Sequence, residues 1–205
     1  MATGETEIVN MALRLVAAAR ITSLGQGTKN AVVATEIYPI VRDDLLRSHP
    51  WNFATKRVQL ARSATAPGFE YDYGYVAPAD WMRTVSVHDN DGGISTIDYR
   101  EEQVGGQRCI LANVENVYLR YVSLVTDVAL MPADFRMALV AALARDLAAP
   151  IAGSNTAYER LEERSLRTLS RAKSADAQGS SPERRPAGSW VTARGGWGSA
   201  RVWPR

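Results

Sequence analysis

The chain has 205 residues, of which 46% are apolar and 22% charged, and its formal net charge is +2. These values are ordinary for a globular protein with one domain, or one domain with an insertion, and they indicate no dedicated nucleic-acid surface. The single cysteine excludes an internal disulfide and a cysteine-cluster metal site, and the absence of a long uncharged apolar run or a basic N-terminus argues against a membrane span or a secretory signal.

Two helices are predicted at the start of the chain. Apolar residues recur at a spacing of 3.6 over about residues 5–20 and again over about residues 28–48. Pro39 lies inside the second pattern and is expected to kink or split the helix near Tyr38. Pro50 then disfavours the helical conformation in the residue before it, so the second helix should end there.

Aromatic residues cluster after these helices. Within the motif HPWNFA (residues 49–54), Trp51 and Phe53 are expected to pack between the helices and a sheet, and Trp81 is assigned to the core as well. Four further aromatic residues share one parity of a predicted strand: Phe69, Tyr71, Tyr73 and Tyr75. Because alternate residues of a strand share a face, this face should cover either a core or a protein interface.

The segment 56–128 is typical of β structure. Short runs of alternating apolar residues are separated by turn residues every ~8–12 positions, a pattern typical of a small antiparallel sandwich. Gly105 and Gly106 separate predicted strands at 96–100 and 108–112. Five or six strands are expected.

Two further helices are predicted after the β segment. The third begins near Pro132 and ends at Pro150, and the fourth runs to about Ala175. The fourth is rich in charge, which is typical either of a solvated face or of a subunit interface. The interface candidates are Glu159, Glu163, Arg164, Arg167 and Arg171.

The C-terminal segment (residues 178–205) differs in composition from the rest. It is rich in Gly, Ser, Pro and Arg, and it holds three of the five tryptophans. Trp and Arg dominate binding hot spots, so the segment is interpreted as one that orders on a partner. Packing on its own domain and binding nucleic acid are the alternatives. The docking residues proposed from this pattern are Arg184, Arg185, Trp190, Arg194, Trp197, Arg201 and Trp203.

The sequence contains no motif typical of an active site. It has no phosphate-binding loop, zinc-protease motif, nucleophile elbow or Cys-x-x-Cys pair. Cys109 is expected to be a buried inert thiol, and His88 a surface residue. We therefore expect a protein that is not an enzyme and that needs no cofactor or metal.

Four stretches carry a resemblance to a known family. EIVNMALRLVAAARITSL, HPWNFA, FEYDYGYVAPADWMR and ADFRMALVAALARDLAAPI together span most of residues 5–152. In this combination they resemble the tail tubular protein A family of tailed bacteriophages. The resemblance implies a head-to-tail adaptor, made in the host cytoplasm and located at the head-tail junction of the virion.

The partners follow from the same resemblance. It implies a ring, typically of twelve copies, that binds the portal protein above and a downstream tail or nozzle protein below. DNA passes through the centre of such a ring without sequence-specific contacts. A net charge of −2 over residues 1–177 suits a channel that must not hold DNA tightly.

The expected fold class is α+β. A four-helix body (1–55 and 129–177) would carry an antiparallel sandwich-like insertion (56–128) and an extended docking segment (178–205). A head-completion protein of another connector class, a DNA-binding regulator that uses the basic C-terminal segment, and an enzyme remain as alternatives. Steep salt dependence would favour the regulator, and a ligand-induced rise in melting temperature would favour the enzyme.

Overall fold

The computed structural model describes residues 4–93, 95–153 and 155–180. This part of the chain is mixed α/β, with four helices and two small antiparallel sheets of three strands each. The helices are α1 (Glu5–Leu15), α2 (Lys29–Arg47), α3 (Ala133–Leu147) and α4 (Asn155–Gln178). The strands are β1 (Thr55–Gln59), β2 (Tyr73–Val76), β3 (Trp81–His88), β4 (Arg100–Val104), β5 (Gln107–Ala112) and β6 (Tyr118–Ser123).

Helix α3 lies at the centre of the helical part and packs against α1, α2 and α4. Most of its residues are buried, on all sides of the helix, as expected for a helix with neighbours all round. Phe135, Leu139, Leu143 and Leu147 contribute its largest fully buried side chains. Two helices from each end of the chain therefore come together, and α3 is the one that the other three contact.

The six strands form two sheets with the orders β1–β6–β3 and β2–β5–β4. All strand pairs in these sheets are antiparallel. One apolar cluster draws residues from both sheets, including Tyr75 and Ile110 from one and Val87 and Leu119 from the other. The two sheets therefore share a core that is separate from the helical one.

Hydrogen bonds tie the first sheet to the helices. The guanidinium of Arg83 on β3 donates to the carbonyl of Arg47, the last residue of α2, at 2.9 Å. The hydroxyl of Ser123 on β6 donates to the carbonyl of Ala54 at 2.9 Å. Val122, next to Ser123, belongs to the helical core. The first bond holds β3 against the end of α2, and the second holds the end of β6 to the residue that precedes β1.

Helix α1 is shorter than predicted, because it ends at Leu15 and not near residue 20. Ala17 adopts a left-handed φ of 55°. The N–H groups of Ala18 and Ala17 bond the carbonyls of Leu13 and Arg14, at 2.9 and 3.2 Å. This is the Schellman pattern that closes a helix, here with alanine where glycine is usual.

Helix α2 continues through Pro39 as one helix, so the expected split near Tyr38 does not occur. Proline removes one backbone hydrogen bond. Tyr38 and Val41, on either side of it, are both buried in the helical core. We attribute the continuity of the helix to this packing.

The predicted aromatic face is only partly formed. Tyr75 is fully buried, but Phe69 lies before the strand and its side chain is 84% exposed. Glu70 has a left-handed φ of 71°, and the N–H of Tyr71 bonds the carbonyl of Phe69 at 2.8 Å. This tight turn separates Phe69 from the strand parity that the sequence suggests.

Strand β4 occupies Arg100–Val104, later than the predicted 96–100. Gly105 and Gly106 both have positive φ, of 58° and 81°. A two-residue turn of this type joins two strands that lie directly beside it, so β4 ends at Val104, next to Gly105, and not at Arg100.

Helix α4 ends at Gln178, three residues beyond the predicted end and inside the proposed C-terminal segment. Among the residues that the structure describes, no helix combines the length and the apolar character needed to cross a membrane.

Candidate protein-interaction site

The HPWNFA motif lies where the ends of three helices meet. Pro50 directs the chain out of α2, and Trp51 turns back beneath it. The indole N–H of Trp51 donates to the carbonyl of Leu45 at 2.9 Å, which satisfies a carbonyl near the C-terminal end of α2. The Trp51 side chain is 1% exposed, and it belongs to the helical core.

Aromatic rings extend this contact to α3. The ring of Trp51 meets that of Phe135 edge-on, with centroids 5.0 Å apart. Phe53 is half-buried, and its ring packs against that of Phe135 with centroids 4.9 Å apart. An edge-on aromatic pair of this kind adds about 0.5–1.5 kcal/mol to the stability of a fold, in addition to the contribution from burial of its apolar area. The motif therefore fixes the first turn of α3.

The end of α4 binds the motif through polar contacts. The Asp176 carboxylate accepts from the backbone N–H of Asn52 at 3.0 Å, and its carbonyl accepts from the Asn52 side-chain amide at 2.6 Å. The imidazole of His49 lies 3.4 Å from the same carboxylate. Burial lowers the pKa of His49 below its ordinary value, although the Asp176 carboxylate opposes that shift. We call this arrangement of residues 49–54, Phe135 and Asp176 the junction.

A cavity of about 270 Å³ opens beside the junction. Aromatic side chains of the junction line part of it, and the carboxyl-bearing residues Asp134 and Asp176 line it as well. Gly179, the first residue after α4, also lies on its wall. The C-terminal segment therefore leaves the described structure at this cavity.

The seven docking residues proposed from the sequence lie outside the described residues. They are Arg184, Arg185, Trp190, Arg194, Trp197, Arg201 and Trp203. Their role stays a prediction.

The five interface candidates lie on α4 and are all exposed. Glu163 and Arg167 form an ion pair at 3.1 Å across one helical turn. Such exposed pairs contribute little to stability, so their charges are available to another surface. The structure adds Leu166, which lies among them and is 60% exposed. The buried residues Leu161, Ser165 and Ala172 mark the inner side of the helix, and Leu166 lies outside that row.

Trp81 is placed in the core between the sheets and not near the junction. Its indole N–H donates to the Thr84 hydroxyl at 3.1 Å, and the Arg108 guanidinium lies 4.8 Å from its ring centroid. Trp51 and Trp81 therefore belong to different clusters.

Two residues considered for chemistry have ordinary surroundings. Cys109 on β5 is buried, and desolvation raises the pKa of its thiol, which disfavours the reactive thiolate. His88 is half-buried, with one ring nitrogen 2.7 Å from the Ser95 carbonyl and the other 2.9 Å from the Ser86 hydroxyl. Within the described ranges, no group of three or more His, Cys, Asp or Glu residues is arranged to hold a metal ion.

Sequence reasoning missed the exposed apolar residues of α2. Ile40 lies three residues after Ile37 in the apolar pattern of the second helix, and this spacing predicts a buried side chain, but Ile40 is 69% exposed. Val32, two turns earlier, is 48% exposed. The polar residues Glu36 and Asp44, one turn from Ile40 on either side, are the signal that this row faces outward.

No protein-family model matches the chain, and no curated protein matches it either.

Proposed function

We propose that the chain is a structural virion protein, a head-to-tail adaptor whose copies form a ring between the portal and the tail of a bacteriophage. The observation that carries the proposal is the junction. HPWNFA belongs to the stretches that resemble the tail tubular protein A family, and its residues join α2, α3 and α4 through Trp51, Phe135 and Asp176. The resemblance thus rests on residues with a defined part in the architecture.

In this proposal the helices form a four-helix body that makes the ring contacts. The two sheets form a sandwich-like insertion that faces the downstream tail or nozzle protein. Their shared apolar cluster supports treating them as one unit, and the bonds from Arg83 and Ser123 support a fixed orientation on the body. The ring encloses passing DNA without reading its sequence.

The C-terminal segment binds the portal or a neighbouring copy in this proposal. It starts at the junction cavity, beside Asn52 and Asp176. Its arginines and tryptophans are the residue types that dominate binding hot spots. Because the segment is attached at this cavity, a partner that binds the segment is connected directly to the helical body.

The test compares three proteins: the full chain, a chain truncated after Gln178, and a full-length control with Trp190, Trp197 and Trp203 changed to alanine. Each is weighed by native mass spectrometry, alone and with the portal ring encoded in the same genome. We expect stoichiometric rings with the full chain and their loss in both variants. Rings that survive in both variants show that the helices make the ring contacts without the C-terminal segment; this outcome removes the docking role of the segment and leaves the adaptor function intact.

One outcome would overturn the proposal. A full chain that remains monomeric with the portal but shifts DNA at low salt, with steep loss at higher salt, is a DNA-binding regulator.

A further inference from the structure

The cavity beside the junction owes its volume to small residues on α4. Aromatic rings form one part of its lining, those of Trp51, Phe53 and Phe135. On α4 the lining includes Ala172 and Ala175, which lie one helical turn apart and therefore on the same side of the helix. Gly179 follows on the same wall. Because none of these three residues has a side chain beyond Cβ, space remains beside the rings.

This space suits an aromatic side chain with one polar group. A cavity of about 150 Å³ admits a benzene ring, and the junction cavity measures about 270 Å³. Phe53 is only half-buried where it lines the cavity, so a ring placed there removes apolar surface from water. Asp134, an exposed acid in the first turn of α3, also lines the cavity. Its carboxylate is an acceptor of the kind that a buried indole N–H needs.

The C-terminal segment brings an indole to this cavity. It starts at Gly179, on the cavity wall, and only residues 180–189 separate that wall from Trp190. A group tied to the wall of a site meets it at a much higher effective concentration than a free partner does. Pro182 and Pro186 lie in the linker and reduce the entropy that its ordering costs.

Trp190 is favoured over the two later tryptophans. The entropy cost of closing a loop grows with its length, and Trp203 needs a linker more than twice as long. Trp197 lies between two glycines, the residue type that loses most conformational freedom when it is ordered. Trp190 is followed by Val191, a second apolar residue next to the indole.

We propose that the junction cavity binds the Trp190 side chain of its own chain, with the indole N–H donated to the Asp134 carboxylate. For Trp190 this is the packing on its own domain that the sequence left open. The docked indole fastens the start of the C-terminal segment to the helical body, and Trp197 and Trp203 remain for a partner. The inference goes beyond the adaptor function and does not rest on it, because the contact lies inside one subunit.

Fluorine NMR of the full chain labelled with fluorotryptophan gives a separate signal for each tryptophan, and Trp190→Phe assigns one of them. We expect the Trp190 signal to lie apart from those of Trp197 and Trp203 and to be unchanged by dilution. Ala175→Leu fills the cavity from α4 and should move the Trp190 signal to the position of the two later tryptophans. Ala177→Leu, at an exposed residue of the same helix, is the control and should leave the signal in place.

Disulfide trapping tests the contact without filling the cavity. In a Cys109→Ser background, Pro132→Cys, at an exposed residue of the cavity lining, and Val191→Cys should form a disulfide within one chain. This disulfide should form about tenfold faster than one with Ser199→Cys in place of Val191→Cys, because docking raises the effective concentration of the two thiols. Addition of Trp190→Ala should remove that advantage.

Three results overturn the proposal. A Trp190 signal that coincides with those of Trp197 and Trp203, and that Ala175→Leu does not move, shows that no indole of the segment is docked. A disulfide that joins two chains shows that the cavity binds the segment of another copy. A signal of Trp197 or Trp203 that Ala175→Leu displaces assigns the cavity to that residue instead. The weighing of rings with the portal is a separate measurement, so failure of the adaptor function and failure of this contact are distinguishable.

Discussion

The carboxylate of Asp176 accepts a hydrogen bond from the backbone N–H of Asn52 at 3.0 Å, across 124 positions of the chain. The Asn52 amide returns a second bond, to the Asp176 carbonyl, at 2.6 Å. The pair joins the last turn of α4 to the motif that ends α2. It makes the start of the C-terminal segment a fixed point on the helical body.

Asp176→Ala is expected to lower the free energy of unfolding by about 1 kcal/mol, because the exposed Asn52 N–H exchanges its carboxylate acceptor for water. Urea denaturation monitored by circular dichroism measures the change. Glu163→Ala, an exposed acid on the same helix, is the control and should change stability by no more than about 0.5 kcal/mol. Equal effects for the two variants would contradict the role of the pair.

The stability should fall on mild acidification through His49. Burial lowers the pKa of this imidazole below its ordinary 6.5, so the folded protein binds its proton less well than the unfolded chain does. Asp176 raises that pKa while Lys173 and Arg83 lower it. The contribution of neutral His49 to the free energy of unfolding is therefore complete above pH 6.5. It is lost as the pH falls from 6.5 toward the lower pKa of His49 in the folded state.

Denaturation at a series of pH values, for the wild type and for His49→Gln, measures this contribution. The difference in stability between them should change across the window below 6.5 and be constant above it. A difference that is flat at all pH values would exclude His49 as the titrating group.

Trp51→Phe should lower the free energy of unfolding by about 0.5–1.5 kcal/mol, because the indole hydrogen bond to the Leu45 carbonyl is lost, whereas the Ser48 hydroxyl still donates to that carbonyl and most of the apolar volume remains. Trp51→Ala should cost more, about 3–5 kcal/mol, since it also opens a cavity in the helical core. Phe69→Ala, at a residue that is 84% exposed, serves as the aromatic control. Thermal and chemical denaturation should find Trp51→Ala the least stable, Trp51→Phe next, and Phe69→Ala close to the wild type.

Ala17→Gly is expected to stabilise the protein by about 1 kcal/mol. Ala17 holds a left-handed φ of 55° at the end of α1, a conformation that costs an L-residue about 1–2 kcal/mol and glycine very little. Ala18→Gly, at the next residue, gains no such relief and should be neutral or destabilising. A fall in melting temperature for Ala17→Gly would show that the turn is not strained.

Local patterns in the sequence predict the local elements well. The spacing of apolar residues places α2 at 28–48, and the structure has it at Lys29–Arg47. Errors arise where one backbone conformation ends an element, as at Ala17 and Glu70, since neither residue type signals a left-handed φ. The double-glycine turn was visible in the sequence, but it fixed β4 directly beside Gly105 and not four residues earlier.

The candidate site could be predicted only in part, because it depends on contacts between distant residues. HPWNFA stands out by composition, whereas the bond from Asn52 to Asp176 has no local signal. Ile40 lies next to the buried row of α2, and the acids one turn away on either side were a signal in the sequence that its row faces outward. The roles of the C-terminal arginines and tryptophans and of the α4 charges stay predictions.

The central position of α3 has a consequence for synthesis of the protein on the ribosome. Helices α1 and α2 emerge first, but their main packing partner begins at Ala133, after all six strands. At about 5–20 residues per second, translation of the 100 residues between Arg47 and Leu147 takes roughly 5–20 s. During that time the apolar faces of both helices lack this partner on the nascent chain, and exposed apolar surface of this kind is prone to aggregation unless chaperones cover it.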